Sequence, residues 1–114
     1  MSNPLENITE DTMQSLINEL GENFVDLLRG QVDGAITDLQ IVGTDIARNL
    51  METWQIEDDE VREATRKELA AQGRLLLEQR RIRASEATWR VVEASLDAAT
   101  GIAFTFLRTA TGVI

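Results

Sequence analysis

Acids and arginines are the side chains of this chain whose grouping suggests reactivity. Glu57, Asp58, Asp59 and Glu60 are consecutive, and the stretch RLLLEQRRIR gathers Arg74, Arg80, Arg81 and Arg83. Acids in a run suit calcium, but a calcium loop spaces its oxygen ligands as D-x-D-x-D-G. That spacing is absent, so the run is expected to cap a helix and turn the chain. The arginines would suit a phosphate backbone, yet a nucleic-acid binder carries a basic face on the whole molecule. Net charge here is −9. No nucleic-acid partner is expected, and the arginines read as an ion-paired or solvated helix face.

The chain has no histidine and no cysteine. Imidazole bases, Ser-His-Asp triads, HExxH motifs, thiolate nucleophiles and zinc–thiolate sites are therefore excluded. Glu68 and Glu78 interrupt an apolar seam and raise a metal reading. Without a histidine beside them, they are expected to pair with Arg or Lys across a helix bundle. Trp54 and Trp89 read as packing anchors, one at a turn and one within the bundle. No catalytic, metal or cofactor site is expected, and the chain reads as non-catalytic.

The elements that carry these residues are helical. The single proline is Pro4, aromatics are 4%, and there is no tyrosine; the apolar content is Leu, Ile, Val and Ala, which favours helices over sheets. The 114 residues make one all-α domain, 1–114. A first helix is expected over about 9–54, capped by Thr9. Its apolar stripe runs from Met13 and Ile17 to Ile46 and Leu50 at close to 3.6 residues per turn. Gly30 and Gly34 allow a bend or break at 30–34. An acidic turn follows at about 55–59, with Asp58 or Asp59 as the next N-cap. A second helix is expected over about 59–111. It carries a 3-4 seam, Val61, Ala64, Glu68, Ala71, Leu75 and onward to Val113, in coiled-coil spacing. A second seam, Leu69, Leu76, Ala87, Val91, Ala94, Ala98 and Ile102, flanks it.

Charge suggests how the two halves meet. Residues 1–63 hold 15 acids and 3 bases (−12), and residues 64–114 hold 5 acids and 8 bases (+3). An antiparallel hairpin turning near 56–58 pairs residues whose numbers sum to about 113. It joins Asp33 to Arg80, Asp38 to Arg74, Arg29 to Glu86, and Arg48 to Glu68 or Glu63. The expected fold is therefore a long, coiled-coil-like antiparallel helical hairpin that self-associates into a multi-helix bundle or ring. The alternative is a compact four-helix bundle, broken near Gly30 and near Arg83–Glu86.

The last 17 residues, AATGIAFTFLRTATGVI, contain one ionisable side chain, Arg108. Thr100, Gly101 and Ile102 recur eleven residues later as Thr111, Gly112 and Val113, three helical turns with little drift. The uncharged apolar stretch 98–107 is about half of the roughly 20 residues a transmembrane helix needs. Small residues at Ala99, Gly101, Ala103 and Ala110, with Ile102, Phe106, Leu107, Val113 and Ile114, are expected to form the contact surface for a partner. The part from 106 onward should overhang the hairpin. The function expected is that of a structural or assembly subunit of a homo-oligomer or larger particle, for example a small virion or phage-tail component. Its partners would be itself and neighbouring structural proteins. The alternative is an amphipathic protein that binds a membrane or a lipid or polymer surface peripherally through this tail. MSNPLENITEDT lacks a signal-peptide pattern, so synthesis in the cytoplasm, with incorporation into a particle, is expected.

Overall fold

The structure is a computed structural model, which describes residues 10–111. The expected cap Thr9 and the tail residues Gly112, Val113 and Ile114 lie outside the described residues, as do the side chains of Ala110 and Thr111. Four helices follow one another: α1 (Glu10–Arg29), α2 (Ile36–Trp54), α3 (Asp59–Gln79) and α4 (Glu86–Thr111). A two-helix hairpin with arms of 45 residues would be about 70 Å long at 1.5 Å per residue. The longest extent of the molecule is 44 Å. Of the two all-α forms expected, the compact four-helix bundle fits.

Each arm of the expected hairpin folds back on itself. At the end of α1 the Leu28 carbonyl accepts from both Gln31 N and Val32 N at 3.0 Å, closing a tight turn. Val32 remains buried although it lies in the loop, and α2 restarts at Ile36. At the end of α3 the Leu77 carbonyl accepts from Arg80 N and Ile82 N at 3.1 Å. Ile82 is again buried in the loop, and α4 restarts at Glu86. The loops lie side by side and pair through an antiparallel bridge between Asp33 and Arg83.

That bridge joins equivalent positions of two similar hairpins. Leu39, Val42, Ile46, Leu50 and Trp54 of α2 are buried, and so are Trp89, Val92, Leu96, Thr100 and Phe104, each 50 positions later. On α1 and α3 the step is 49: Leu20, Gly21, Phe24 and Leu28 match Leu69, Ala70, Gly73 and Leu77, all buried. The segment from Leu77 to Ile82 is therefore one residue longer than the matching segment from Leu28 to Val32. Arg81, at φ 61°, takes up the extra residue in a left-handed conformation that non-glycine residues seldom adopt. Antiparallel pairing of equivalent residues is what an approximate two-fold axis between the loops produces.

The two hairpins differ in how they close. α1 crosses α2 at small residues: a Cβ on Gly43 would lie 2.8 Å from the Gly21 carbonyl oxygen and 3.0 Å from Val25. Glycine here permits a backbone approach no other residue allows. The core then runs from Leu16 and Phe24 through Leu50 and Trp54 to Leu96, Phe104 and Leu107.

Candidate assembly surface

α3 turns its expected seam outward. Val61, Ala64, Glu68, Ala71 and Leu75 are all exposed, and the buried face is Arg62, Arg66, Leu69, Ala70, Gly73 and Leu77. Two arginines thus sit where the sequence led us to expect apolar residues. Arg62 stacks 4.2 Å from the Trp54 ring centre, donates from Nε to the Ile56 carbonyl at 2.8 Å and reaches Asp59 at 3.3 Å. Trp54 meets Phe104 edge-on at 5.1 Å. Arg66 donates to the Asp97 carbonyl and the Thr100 hydroxyl, both at 2.7 Å, and pairs with Glu63 and Asp97. The hydrogen bond from Arg66 holds the Glu63 carboxyl below its ordinary range, and Glu63 in turn raises the guanidinium. These contacts tie the 55–58 turn, α3 and α4 into one polar cluster.

Further along the same seam, Arg74 donates to Glu78 and, through both terminal nitrogens, to Glu86, and lies 3.8 Å from Glu93. Its guanidinium also sits over Trp89, which anchors the loop end of the bundle instead of its middle. The bidentate bond lowers the Glu86 carboxyl and raises Arg74. Among the described residues, none of the register pairs expected of a hairpin forms an ion pair. Arg74 and Glu86 had been matched to Asp38 and Arg29, and they hold each other instead. Asp33 meets Arg83 through the backbone, three residues on from the expected Arg80. Arg48 lies on α2, and Glu68 is exposed on α3 with no ion pair among the described residues.

The charges of α4 all fall on one side. Glu86 and Glu93 face Arg74, and Asp97 faces Arg66. The positive charge of Arg90 bears on Glu86, and that of Arg108 on Glu63 of α3. The adjoining, outward face is Ala87, Val91, Ala94, Ala98, Ile102, Thr105 and Thr109, all exposed and none charged. Ile102 is 71% exposed, Val91 54%. This face repeats every eleven residues (Ala87, Ala98, Thr109; Val91, Ile102), so it runs nearly straight along the helix.

Beside that face lies a groove of about 370 Å³, where α1 and α4 stand apart. Leu16, Leu20, Phe24 and Leu27 line it from α1, and Ala99, Ile102, Ala103 and Phe106 from α4; Glu19 and Asn23 are its polar rim. The expected contact residues therefore divide. Ala99, Ile102, Ala103 and Phe106 meet in the groove, with Phe106 47% exposed. Gly101 turns toward Arg66. Leu107, expected in an overhang, is fully buried in the core. The side chain of Ala110, and Val113 and Ile114 as a whole, lie outside what is described. Sequence reasoning had noticed Ala87, Val91, Ala94 and Ala98 as a second seam without assigning them to the surface.

No helix among the described residues is long and apolar enough to cross a membrane. The chain matches no known protein family, no curated protein and no solved structure.

Proposed function

We propose that this protein is a non-catalytic assembly subunit, built into a larger oligomer or particle through the outward face of α4 and the adjoining groove. The supporting observation is the segregation of charge on α4: 27% of the chain is charged, yet no charged residue lies on this face between 87 and 109. A helix face that stays in water is ordinarily polar. One that is apolar and exposed marks a contact surface. The competing occupant, a lipid surface, is recognised by helices with Lys and Arg bordering the apolar face. Here the α1 rim of the groove is acidic at Glu19, and the α3 side of α4 mixes Arg90 and Arg108 with Glu86, Glu93 and Asp97.

Light scattering on a sizing column tests this reading. Wild-type protein at tens of micromolar should run at a multiple of 12.7 kDa, and Ile102→Asp should return it to one chain mass with an unchanged helical spectrum. A monomeric wild type, or binding to neutral and anionic vesicles that Ile102→Asp abolishes, would contradict it.

A further inference from the structure

We infer that the bundle also joins end to end with copies of itself, the α3–α4 loop of one chain seated on the acidic 57–60 turn of the next. This contact goes beyond the α4 face and uses none of its residues. It starts from Arg80, Arg81 and Arg83, all exposed and none in an ion pair among the described residues.

The first hairpin shows that the turn does not need them. It closes with Gly30 and Gln31, and it has Asp33 where the second has Arg83. Arg81 even costs the fold something, because its left-handed φ of 61° suits glycine and not a side chain. Arginines that the turn does not require and no carboxylate holds are placed for something outside the chain. The acids nearby do not cancel them. Glu78 and Glu86 are both held by Arg74, and Asp26, Asp33 and Asp38 belong to the first hairpin. The basic patch is confined to the second loop, where Arg81 and Arg83 line a hollow of about 370 Å³ with Glu78, Ile82, Ala84 and Trp89.

The matching surface is at the far end of α3, about 30 Å away at 1.5 Å per residue. Glu57, Asp58, Asp59 and Glu60 are consecutive and exposed. Asp58 caps α3 and Asp59 reaches Arg62, which leaves Glu57 and Glu60 outside any ion pair among the described residues. Opposite charges at opposite ends of one helix complement each other only head to tail. Head to head sets arginine on arginine, and tail to tail sets acid on acid. The net charge of −9 does not prevent this, because salt screens charges beyond about 8 Å and the molecule is 44 Å long.

A head-to-tail contact is heterologous, so it repeats from chain to chain instead of closing on a pair. The end of the bundle, at most 28 × 20 Å, is smaller than the ~800 Å² per partner of a standard interface. One end contact is therefore weak alone, and it adds up where the α4 face has already gathered several chains.

The chain has no cysteine, so single thiols report the contact in the full-length protein. Gln79, beside the loop, and Gln55, beside the turn, are both exposed. Under mild oxidation a mixture of Gln79→Cys and Gln55→Cys chains should give mixed dimers, and neither alone should link. In an Ile102→Asp background at hundreds of micromolar, light scattering should show association at low salt that is lost at high salt. Arg80→Glu with Arg83→Glu, or Glu57→Arg with Glu60→Arg, should each weaken it at least tenfold, and mixing the two variants should restore it. Arg81→Gly should raise the thermal midpoint and still weaken association, which an arginine kept for the turn alone would not do. Links within a single-thiol sample, arginine variants that associate like their parent, or arginine-dependent binding of a DNA duplex in place of self-association overturn the inference. Ends that fail to join while Ile102 still governs oligomer size overturn this contact alone and leave the α4 reading standing.

Discussion

Arg66 shows how this fold treats a charge it buries. Its guanidinium is buried, but its carboxylate partners Glu63 and Asp97 are 41% and 54% exposed. Removing the arginine therefore leaves acids that water can still solvate, not a stranded buried charge. Arg66→Met, which keeps the apolar stem, should cost about 1–2 kcal/mol, less than the ~3–5 of a fully buried pair. The shift of the urea midpoint measures it. The same pair sets an acid dependence. Glu63 has its folded pKa lowered from the ordinary 4.5, so its stabilising contribution is complete above that value and is lost as pH falls through the lower, folded one. Between pH 5 and pH 3 wild type should lose more stability than Arg66→Met, and equal losses would show that the pair does not contribute. At this scale the sequence disclosed little. Arg62 and Arg66 look like surface residues, and the one signal available was spacing: 62, 66, 69, 73 and 77 continue a single helical face.

At the scale of elements, the two hairpins perform the same turn with different chemistry. Ser85 caps α4 by accepting from Thr88 N at 3.2 Å. The matching position before α2 is Ala35, which has no side-chain cap bond. Ala35→Ser should therefore stabilise the protein by about 0.5–1 kcal/mol, giving the first hairpin what the second already has. Asp58, which caps α3 by accepting from Glu60 N and Val61 N, should cost about 1 kcal/mol when changed to Ala. Thermal melts of the two variants should move in opposite directions. The acidic turn and its cap were readable from the run at 57–60. The breaks at 30–35 and 80–85 were much less so, because Val32 and Ile82 are buried within the loops. They carry the apolar period across each turn, and a pattern that never slips resembles a continuous helix. The repeat was hidden for a related reason: Leu39 matches Trp89, and Phe24 matches Gly73. Burial is conserved between the hairpins while side-chain size is not.

At the scale of the molecule, the four helices satisfy most of their own apolar surface. The expected need for partner helices on every side therefore contracts. Leu107 belongs to the core, and the large apolar side chains left exposed are Ile36 of α2, Val61 and Leu75 of α3, and Val91, Ile102 and Phe106 on the outward face of α4 and its groove. Both seams of the second half were visible in the sequence, but pattern alone did not tell which would be buried. That was decided by the break at 80–85, which let α3 and α4 rotate independently. The central claim is that the α4 face is covered in the working protein, and thiol reactivity reads this directly. Ala98→Cys lies on that face and Ala71→Cys on the exposed side of α3, each in a chain with no other thiol. With a bulky maleimide, the labelling rate of Ala98→Cys should fall at least tenfold between sub-micromolar and hundred-micromolar protein, while that of Ala71→Cys stays constant. A rate at position 98 that does not change with concentration would contradict the account.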